Sequence, residues 1–300
     1  MDLYSALLQA CPGVELRAEE PMSRHTTFRI GGPVQVMALP KSAQEAAAVV
    51  KAAKALDVAP IFMGNGSDLL VSDSGVRGLI VKAVDGLDEI TVKDNCITAG
   101  SGVLLARLAN FAMENGLSGL EFSHGIPGSV GGAVTMDAGA YDGDMSMVVR
   151  RVDYLDEDGQ AKSLAGEELD FSYRHSAFSD GRRLILRAEF RLQPGDPSSI
   201  KALMDDLGAR RRHKQPLDLP SAGSTFKRPK GYYAAALIDE CGLKGARVGG
   251  AQVSTKHAGF VVNAGGATCA DVLGLIDQVR RTVLRETGVE LELEVKTLGL

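Results

Sequence analysis

Two glycine-rich segments constrain this chain more than any other feature. The first runs from 61 to 71 (IFMGNGSDLLV) and the second from 121 to 134 (EFSHGIPGSVGGAV). In such segments the backbone can approach a ligand closely, and N–H groups and hydroxyls can surround an anion. Neither matches a familiar nucleotide signature, since the dinucleotide fingerprint counted from Gly64 needs glycine where Leu69 stands, and the second segment has no Gly-Lys-Ser/Thr. Because both follow predicted strands, we expect a pyrophosphate bound outside a Rossmann fold.

Length, charge and cysteine use set looser limits. A chain of 300 residues usually forms two domains, with three small ones possible. A net charge of −5 argues against nucleic acid or an anionic membrane as the main partner. We see neither a secretory signal nor a run long enough to span a membrane. No Cys-x-x-Cys spacing occurs, so we expect no metal site and free thiols in a reducing cytoplasm, at Cys11, Cys96, Cys241 and Cys269.

Hydrophobic periodicity and turn residues predict the secondary structure. Ser42 and Glu45 form a capping box before a helix over 42–56, and Ser101 is predicted to cap a helix that Gly116 ends. Further helices are predicted at 198–213, at 232–241, which Gly242 ends, and at 270–287, which Thr268 and Asp271 begin and Gly288 ends. Strands are predicted at 61–63, 69–71, 78–84, 88–93, 96–99, 148–155, 161–164, 183–192, 251–254 and 259–262. The strands at 88–93 and 96–99 are predicted to form one hairpin, and those at 148–155 and 161–164 a second.

The C-terminal segment Val289–Lys296 alternates strictly between apolar and charged residues. Leu291, Leu293 and Val295 share one face of the predicted strand, and three glutamates share the other. Alternation alone cannot select one glutamate from Glu290, Glu292 and Glu294.

Two further segments are unusual, 171–178 (FSYRHSAF) and 210–229, which gathers cations, prolines and a Ser-Ala-Gly-Ser turn. One interpretation of Arg210–Lys214 is a solvated helix end favoured by the helix dipole. The other is a binding surface for a diphosphate or carboxylate, which arginine can hold through two hydrogen bonds. Both stay open at this point.

The ordered set of motifs resembles the UDP-N-acetylenolpyruvoylglucosamine reductase family and covers roughly residues 24–298. The two glycine segments alone would indicate only the wider FAD-binding superfamily that includes vanillyl-alcohol-type oxidases. The later motifs make the resemblance specific. They are 138–141 (AGAY), 173–176 (YRHS), 215–216 (QP), 223–227 (GSTFK), 235–245 (AALIDECGLKG), 252–260 (QVSTKHAGF) and 293–295 (LEV).

The resemblance implies an α+β fold, with a two-part FAD-binding region of the vanillyl-alcohol-oxidase (PCMH) type and a separate α+β substrate domain. The expected boundaries are 1–86 for the first FAD-binding subdomain, joined by the C-terminal strand 289–300, then 87–197 for the second, and 198–288 for the substrate domain. No insertion supplies the tyrosine-bearing loop of longer members, so the chain resembles the shorter form.

The family chemistry implied by the resemblance is a hydride relay in peptidoglycan precursor synthesis. NADPH reduces noncovalently bound FAD, and the enolpyruvyl sugar nucleotide is then reduced to UDP-N-acetylmuramate. Matched motif to motif, Ser224 is the proton donor, and Arg174 and Glu294 lie at the substrate carboxylate. From the residues alone, Ser224 is an ordinary turn serine, and the alternative interpretation of Arg174 is an ion pair with Asp170 or Glu168.

The resemblance also assigns binding residues. For FAD they are Gly64, Asn65, Gly66, Ser67, Asp68, Leu69, Gly125, Ile126, Pro127, Gly128, Ser129, Gly131, Gly132 and Ala133. For the UDP-sugar substrate they are Tyr173, Lys214, Gln215, Lys227 and Arg228. Because a side chain at a loop glycine should clash with FAD, we expect Gly131→Val to fold without it.

Three positions depart from the commonest family pattern. Asp68 and Asp137 stand where asparagine is usual, which removes a donor and adds negative charge near the expected pyrophosphate. Arg228 also stands where asparagine is common, which leaves the detailed substrate contact open.

Two alternative functions remain from the sequence. One is an FAD-dependent oxidase or dehydrogenase of the wider superfamily that acts on a small alcohol or aldehyde. The other is a noncatalytic flavin-binding module. Neither accounts for the later motifs together with Arg174, Ser224 and Glu294. We expect a cytoplasmic enzyme, monomeric, with no nucleic acid or membrane partner.

Overall fold

The computed structural model describes residues 1–84 and 86–300. Its α-helices, in chain order, are α1 (Leu3–Ala10), α2 (Ala43–Ala55), α3 (Leu105–Glu114), α4 (Val130–Thr135), α5 (Pro197–Lys214), α6 (Ala234–Glu240) and α7 (Cys269–Thr287). In these described ranges, no helix is both long enough and apolar enough to cross a membrane.

The strands are short and numerous. In chain order they are β1 (Glu15–Pro21), β2 (Pro33–Leu39), β3 (Ile61–Met63), β4 (Leu69–Val71), β5 (Val76–Lys82), β6 (Ile90–Lys93), β7 (Cys96–Gly100), β8 (Leu117–Ser118), β9 (Gly139–Ala140), β10 (Gly143–Asp144), β11 (Val149–Leu155), β12 (Ala161–Ala165), β13 (Leu184–Arg191), β14 (Gln193–Pro194), β15 (Arg247–Val248), β16 (Ala251–Val253), β17 (Val261–Asn263) and β18 (Lys296–Leu298).

The chain divides into two compact units. The larger unit contains residues 1–19, 35–65 and 78–210, and the smaller unit contains residues 20–34, 66–77 and 211–300. Each unit is thus built from sequence-distant pieces, which local sequence patterns do not reveal.

The larger unit has two hydrophobic cores. An antiparallel sheet in the order β12-β11-β13-β7-β6 packs against α3 and α4 around Ile97, Leu108, Val134 and Phe190. The second core lies beside α1 and α2, where the sheet β1-β2-β5-β3 contributes Val36 and other buried apolar side chains. Two separate layers of helix on sheet therefore support the loops between them.

The smaller unit is an α+β layer with one core. The antiparallel sheet β15-β16-β17 packs against α6 and α7, and Ile238, Val253 and Ile276 are fully or almost fully buried there. Strand β18 pairs in parallel with β4, so that Leu298 lies opposite Val71. The C-terminal strand is therefore hydrogen-bonded to the strand that ends the first glycine segment.

Many predicted elements are confirmed where sequence signals are local. Ser42 accepts a hydrogen bond from the Glu45 N–H at the start of α2, and Thr268 and Asp271 form a capping box at the start of α7. Gly116, Gly242 and Gly288 all have the positive φ of helix terminators. Both predicted hairpins are present, as β6–β7 and β11–β12.

Other expectations were wrong or incomplete. Ser101 does not cap α3, since Leu104 occupies the cap position without a side-chain hydrogen bond. Strands β1 and β2 and helices α1 and α4 were not predicted. The C-terminal strand does not run through Val289–Lys296, where only an isolated bridge joins Leu293 to Phe226 before β18 begins. The expected alternation of burial is present in part, since Leu291 and Val295 are buried but Leu293 and Glu294 are both half-buried.

Candidate functional site

In the larger unit the two glycine segments contact each other. The side-chain amide of Asn65 donates a hydrogen bond to the carbonyl oxygen of Pro127 at 2.8 Å. A Cβ at Gly64 would lie 2.2 Å from the Oγ of Ser129 and 3.7 Å from the backbone nitrogen of Gly132. A side chain at position 64 would therefore displace the Ser129 hydroxyl, so glycine here leaves that hydroxyl in place.

The hydroxyl of Ser129 is the most informative atom in this contact. Ser129 is the N-cap residue of α4 but makes no side-chain capping hydrogen bond. Its buried Oγ has no hydrogen-bond partner among the residues that the structure describes. Because a buried hydroxyl without a partner costs free energy, a polar ligand at this position would be stabilising. The position suits a pyrophosphate oxygen, so the residues present fit the FAD that the motifs imply.

Gly131 and Gly132 differ in their surroundings. A Cβ at Gly131 would lie 2.9 Å from the Cβ of Ser101, so a side chain there collides with the protein itself. A Cβ at Gly132 would have the Ser129 Oγ as its nearest neighbour, at 3.8 Å, which is ordinary contact. Gly131→Val therefore cannot separate a packing defect from a blocked cofactor site, whereas a substitution at Gly132 can.

The remainder of the first glycine segment belongs to the smaller unit. There the carbonyl of Gly66 accepts a hydrogen bond from the Thr27 N–H at 3.1 Å, and the carbonyl of Asp68 accepts one from the Lys296 N–H at 3.0 Å. Residues 66–69 are thus held between the segment around residue 27 and the C-terminal strand.

Arg174 lies in a tight turn of the larger unit. Ser172 and His175 exchange both backbone hydrogen bonds around it, and its φ of 58° is in the left-handed region. Such strained conformations in non-glycine residues cluster at functional sites. The hydroxyls of Ser176 and Ser179 both donate to the carbonyl of Thr135, at 3.0 and 3.1 Å, and fix this turn to the end of α4.

Backbone carbonyls hold the Arg174 guanidinium. Its Nη1 donates to the Asp137 carbonyl at 3.2 Å and its Nη2 to the Gly139 carbonyl at 3.4 Å. Asp170 contacts His175, and Glu168 accepts a hydrogen bond from the Ala165 N–H. The two acidic partners considered from the sequence are therefore engaged elsewhere. The Arg174 guanidinium also lies 4.9 Å from the ring centroid of Tyr173, which is 53% exposed.

Ser224 and Glu294 are brought together in the smaller unit. The Glu294 N–H donates to the Thr225 carbonyl at 3.0 Å, next to the bridge between Phe226 and Leu293. Thr225 therefore lies directly opposite Glu294, and Ser224 is the residue before Thr225. Ser224 and Glu294 are both half-buried, which distinguishes Glu294 from the exposed Glu290 and Glu292.

The two exposed glutamates form ion pairs with basic side chains. Glu290 contacts Arg280 at 3.4 Å, and Glu292 forms an ion pair with Lys227. Burial thus distinguishes Glu294 from Glu290 and Glu292, which alternation could not do.

The proposed substrate-binding cations have different surroundings. Lys227 is the partner of Glu292, and the Arg228 guanidinium lies 4.0 Å from the ring centroid of Tyr233, an exposed side chain. Lys214 ends α5 and Gln215 follows it. A cleft of about 400 Å³ opens beside them in the smaller unit, lined by Arg212, Pro216, Leu217, Asp218, Leu219, Gln252, Ser254, Thr255 and Lys256.

Comparison with known proteins decides the family. Residues 215–298 match the family model of the UDP-N-acetylenolpyruvoylglucosamine reductase C-terminal domain, and residues 34–165 match that of an FAD binding domain. A UDP-N-acetylenolpyruvoylglucosamine reductase of Agathobacter rectalis is 50% identical over 98% of this chain and 97% of its own length. The chain belongs to this reductase family.

Further relatives agree. A reductase of the same name from Pediococcus pentosaceus is 46% identical over 98% of each chain. The crystal structure of the Thermus caldophilus reductase has a TM-score of 0.81 at 35% identity and covers 95% of this chain and 98% of its own. A berberine-bridge-enzyme-like protein of Physcomitrella patens shares the fold alone, with a TM-score of 0.51 at 14% identity, over 65% of this chain and 45% of its own. The predicted reductase family is confirmed, as is the α+β fold with an FAD-binding region and a separate C-terminal domain.

Asp137 is a residue that the sequence marked only as a departure from the family pattern. It is 4% exposed, and its Oδ1 accepts a hydrogen bond from the Ser146 N–H at 2.9 Å. Burial raises the pKa of Asp137 from 3.8 to about 6. The nearby Asp144 carboxylate also raises this pKa, whereas the Ser146 N–H and the Arg174 guanidinium lower it. No sequence signal could reveal this burial, because it depends on contacts distant in the chain.

The raised pKa of Asp137 predicts a gain in stability from Asp137→Asn at alkaline pH. The neutral acid is favoured in the folded state. Its contribution to the free energy of unfolding is therefore fully present below pH 3.8 and is lost as pH rises through about 6. At about 1.4 kcal/mol per pKa unit, we expect the variant to be more stable by about 2–3 kcal/mol at pH 8. Urea unfolding at pH 8 and pH 4 measures this, and an equal gain at both pH values would contradict it.

Proposed function

We propose that this chain reduces UDP-N-acetylglucosamine enolpyruvate to UDP-N-acetylmuramate for peptidoglycan precursor synthesis, with NADPH as the hydride donor and noncovalently bound FAD as the carrier. The observation that carries the proposal is that similarity to reductases of this name extends over the whole chain rather than over the FAD-binding region alone. A small-alcohol oxidase of the wider superfamily would account for the first region only.

When bound, FAD would serve as the hydride carrier between NADPH and the enolpyruvyl substrate. The chain contributes a pyrophosphate site at the glycine segments, where the Ser129 hydroxyl faces Gly64. The proposed set of FAD-binding residues is unchanged from the motif match, 64–69 with 125–129 and 131–133. Asn65 then contributes to FAD binding indirectly, because its side-chain amide is hydrogen-bonded to the Pro127 carbonyl of the second glycine segment.

Ser224, Arg174 and Glu294 carry the proposed chemistry on the substrate. Hydride addition to the enol ether leaves negative charge that spreads into the carboxylate. The Arg174 guanidinium offsets that charge, Glu294 lies at the same group, and the Ser224 hydroxyl gives the adjacent carbon its proton. The backbone pairing of 225–227 with 292–294 supports the joint role of Ser224 and Glu294.

Arg174→Lys should slow the reaction of the reduced enzyme with the enolpyruvyl substrate by about 10- to 100-fold. Lysine keeps the charge but cannot donate to two carbonyls and an anion in one plane, so charge stabilisation suffers more than binding. Rapid-mixing kinetics over a range of substrate concentrations separates the two. An equal loss of affinity with an unchanged maximal rate would assign Arg174 to ground-state binding instead.

For substrate binding we propose Tyr173, Lys214, Gln215, Lys227 and Arg228. Supporting observations are the exposed Tyr173 ring beside Arg174 and the cleft beside Gln215. Lys227 must exchange its partner Glu292 for a phosphate, which makes it the weakest member of this set.

We also propose a cytoplasmic monomer without a nucleic acid partner. The described cysteines are all free thiols, which suits a reducing compartment, and the net charge is −5. Light scattering of the purified protein tests the oligomeric state.

The absorption spectrum of the bound flavin tests the reaction. Under anaerobic conditions, NADPH should bleach the purified yellow protein, and UDP-N-acetylglucosamine enolpyruvate should restore the colour. Restoration by oxygen alone, with no response to that substrate, would support an oxidase. A parallel bleaching with NADH measures the coenzyme preference.

A further inference from the structure

A buried carboxyl group joins the two ends of the loop of residues 137–146. The centre of this loop is the β9–β10 hairpin, which turns at Tyr141 and Asp142 with positive φ at both. This is the geometry of a type I′ turn, for which Asn-Gly is the usual sequence. At the base of the loop the Asp137 Oδ1 accepts the Ser146 N–H at 2.9 Å, and Asp137 itself has a φ of 43°. The Asp137 carboxyl group therefore joins the two ends of the loop.

The same loop base carries the Arg174 guanidinium. Two of its carbonyls, from Asp137 and Gly139, accept hydrogen bonds from the two terminal nitrogens of Arg174. At 3.2 and 3.4 Å these bonds are long, so their geometry is sensitive to small shifts of the acceptors. A displacement of the loop base would displace the guanidinium with it.

The charges around Asp137 show that this arrangement costs stability. Asp144 faces Asp137 from β10 as a like charge, and Arg174 faces it from the 172–175 turn as an opposite one. Asp144 also accepts a hydrogen bond from the Ser146 hydroxyl at 2.6 Å, and His175 pairs with Asp170. An ionised carboxyl at this buried position opposes folding, and such costs concentrate at functional sites.

We infer that Asp137 is a positioning residue for Arg174, because its carboxyl group closes the loop whose carbonyls hold the guanidinium. The inference rests on the proposed function through the role of Arg174. Asp137 itself does not contact the substrate in this role. Its effect is confined to the step that needs the guanidinium in place, and the ionised form is the stronger acceptor for the Ser146 N–H.

Kinetics of the two half-reactions test the role. Asp137→Ala removes the acceptor and should slow reaction of the reduced holoenzyme with the enolpyruvyl substrate by up to about 100-fold, the scale for misplacing a group by about 1 Å. Reduction by NADPH and substrate affinity should change less than about threefold. Asp137→Asn keeps an acceptor for the Ser146 N–H, so it should restore most of the rate.

The matched control is Asp142→Asn, which removes an exposed carboxylate from the tip of the same loop and should leave both half-reactions unchanged. An equal slowing of both half-reactions by Asp137→Ala would overturn the inference in favour of a purely structural role. An Asp137→Asn variant that is as slow as Asp137→Ala would show that the acceptor at this position does not matter, and would also overturn the inference.

A second measurement does not depend on the reaction. In the holoenzyme with nitrogen-15 arginine, the Arg174 side-chain signal is assigned by its loss in Arg174→Lys. Asp137→Ala should shift or broaden that signal, and Asp142→Asn should not. An unchanged Arg174 signal in Asp137→Ala would overturn the inference. If the wild-type protein does not react with the enolpyruvyl substrate, the proposed function fails, and this signal still decides the role of Asp137.

Discussion

Replacement of Ser224 by alanine should slow the reaction of the reduced enzyme with the enolpyruvyl substrate by about 10²–10⁴-fold, the usual loss when a positioned acid is removed. Reduction by NADPH should be unaffected, because that half-reaction takes no proton from serine. Ser224 is half-buried next to the residue opposite Glu294, so water has limited access to replace its hydroxyl. Anaerobic rapid mixing of each half-reaction measures the two rates separately.

Ser221→Ala is a matched control for this variant. Ser221 belongs to the same Ser-Ala-Gly-Ser turn, but its carbonyl, rather than its hydroxyl, accepts the hydrogen bond from Thr27 Oγ1 at 2.7 Å. We expect Ser221→Ala to leave both half-reactions within about twofold of the wild type, and Ser224→Cys to recover part of the lost rate. Equal slowing of both half-reactions by Ser224→Ala would make Ser224 a structural part of the flavin site and leave the proton donor elsewhere.

Local sequence signals predicted the fold where capping and turn residues act alone. The Ser42 cap, the α7 capping box and the glycine helix terminators need only neighbours within a few residues. Ser101 shows the limit of this reasoning. It has the residue type of a cap, yet it is 1% exposed, and its carbonyl accepts the Gly131 N–H at 2.9 Å. Contact with the second glycine segment overrides its local preference.

The candidate site could be predicted only in part for the same reason. The resemblance to the reductase family assigned Ser224 and Glu294, but their proximity comes from pairing between segments far apart in the chain. The burial of Asp137 and its hydrogen bond to Ser146 had no periodic signature at all. Its position was visible in the sequence only as an aspartate where the family usually has asparagine.

Gly132→Val should give a folded protein that purifies without FAD. The Cβ at this position has ordinary van der Waals contact with its nearest neighbour, the Ser129 Oγ at 3.8 Å, so the protein itself leaves room for it. Within α4, valine is also a better helix former than glycine. The added side chain occupies the space beside Ser129 and Gly64 where we propose that the pyrophosphate binds. Absorbance at the flavin band and circular dichroism measure the cofactor and the fold.

Graded variants separate the blocked site from a packing defect. Gly132→Ala adds only the Cβ and should weaken FAD binding by about 10- to 100-fold, as expected for overpacking by about 1–3 kcal/mol. Gly131→Val collides with Ser101 and should lower the melting temperature of the apoprotein, which Gly132→Val should not. A Gly132→Val protein that keeps its full yellow colour would show that this face of the second glycine segment does not contact FAD. The Ser129 hydroxyl would then need a different partner.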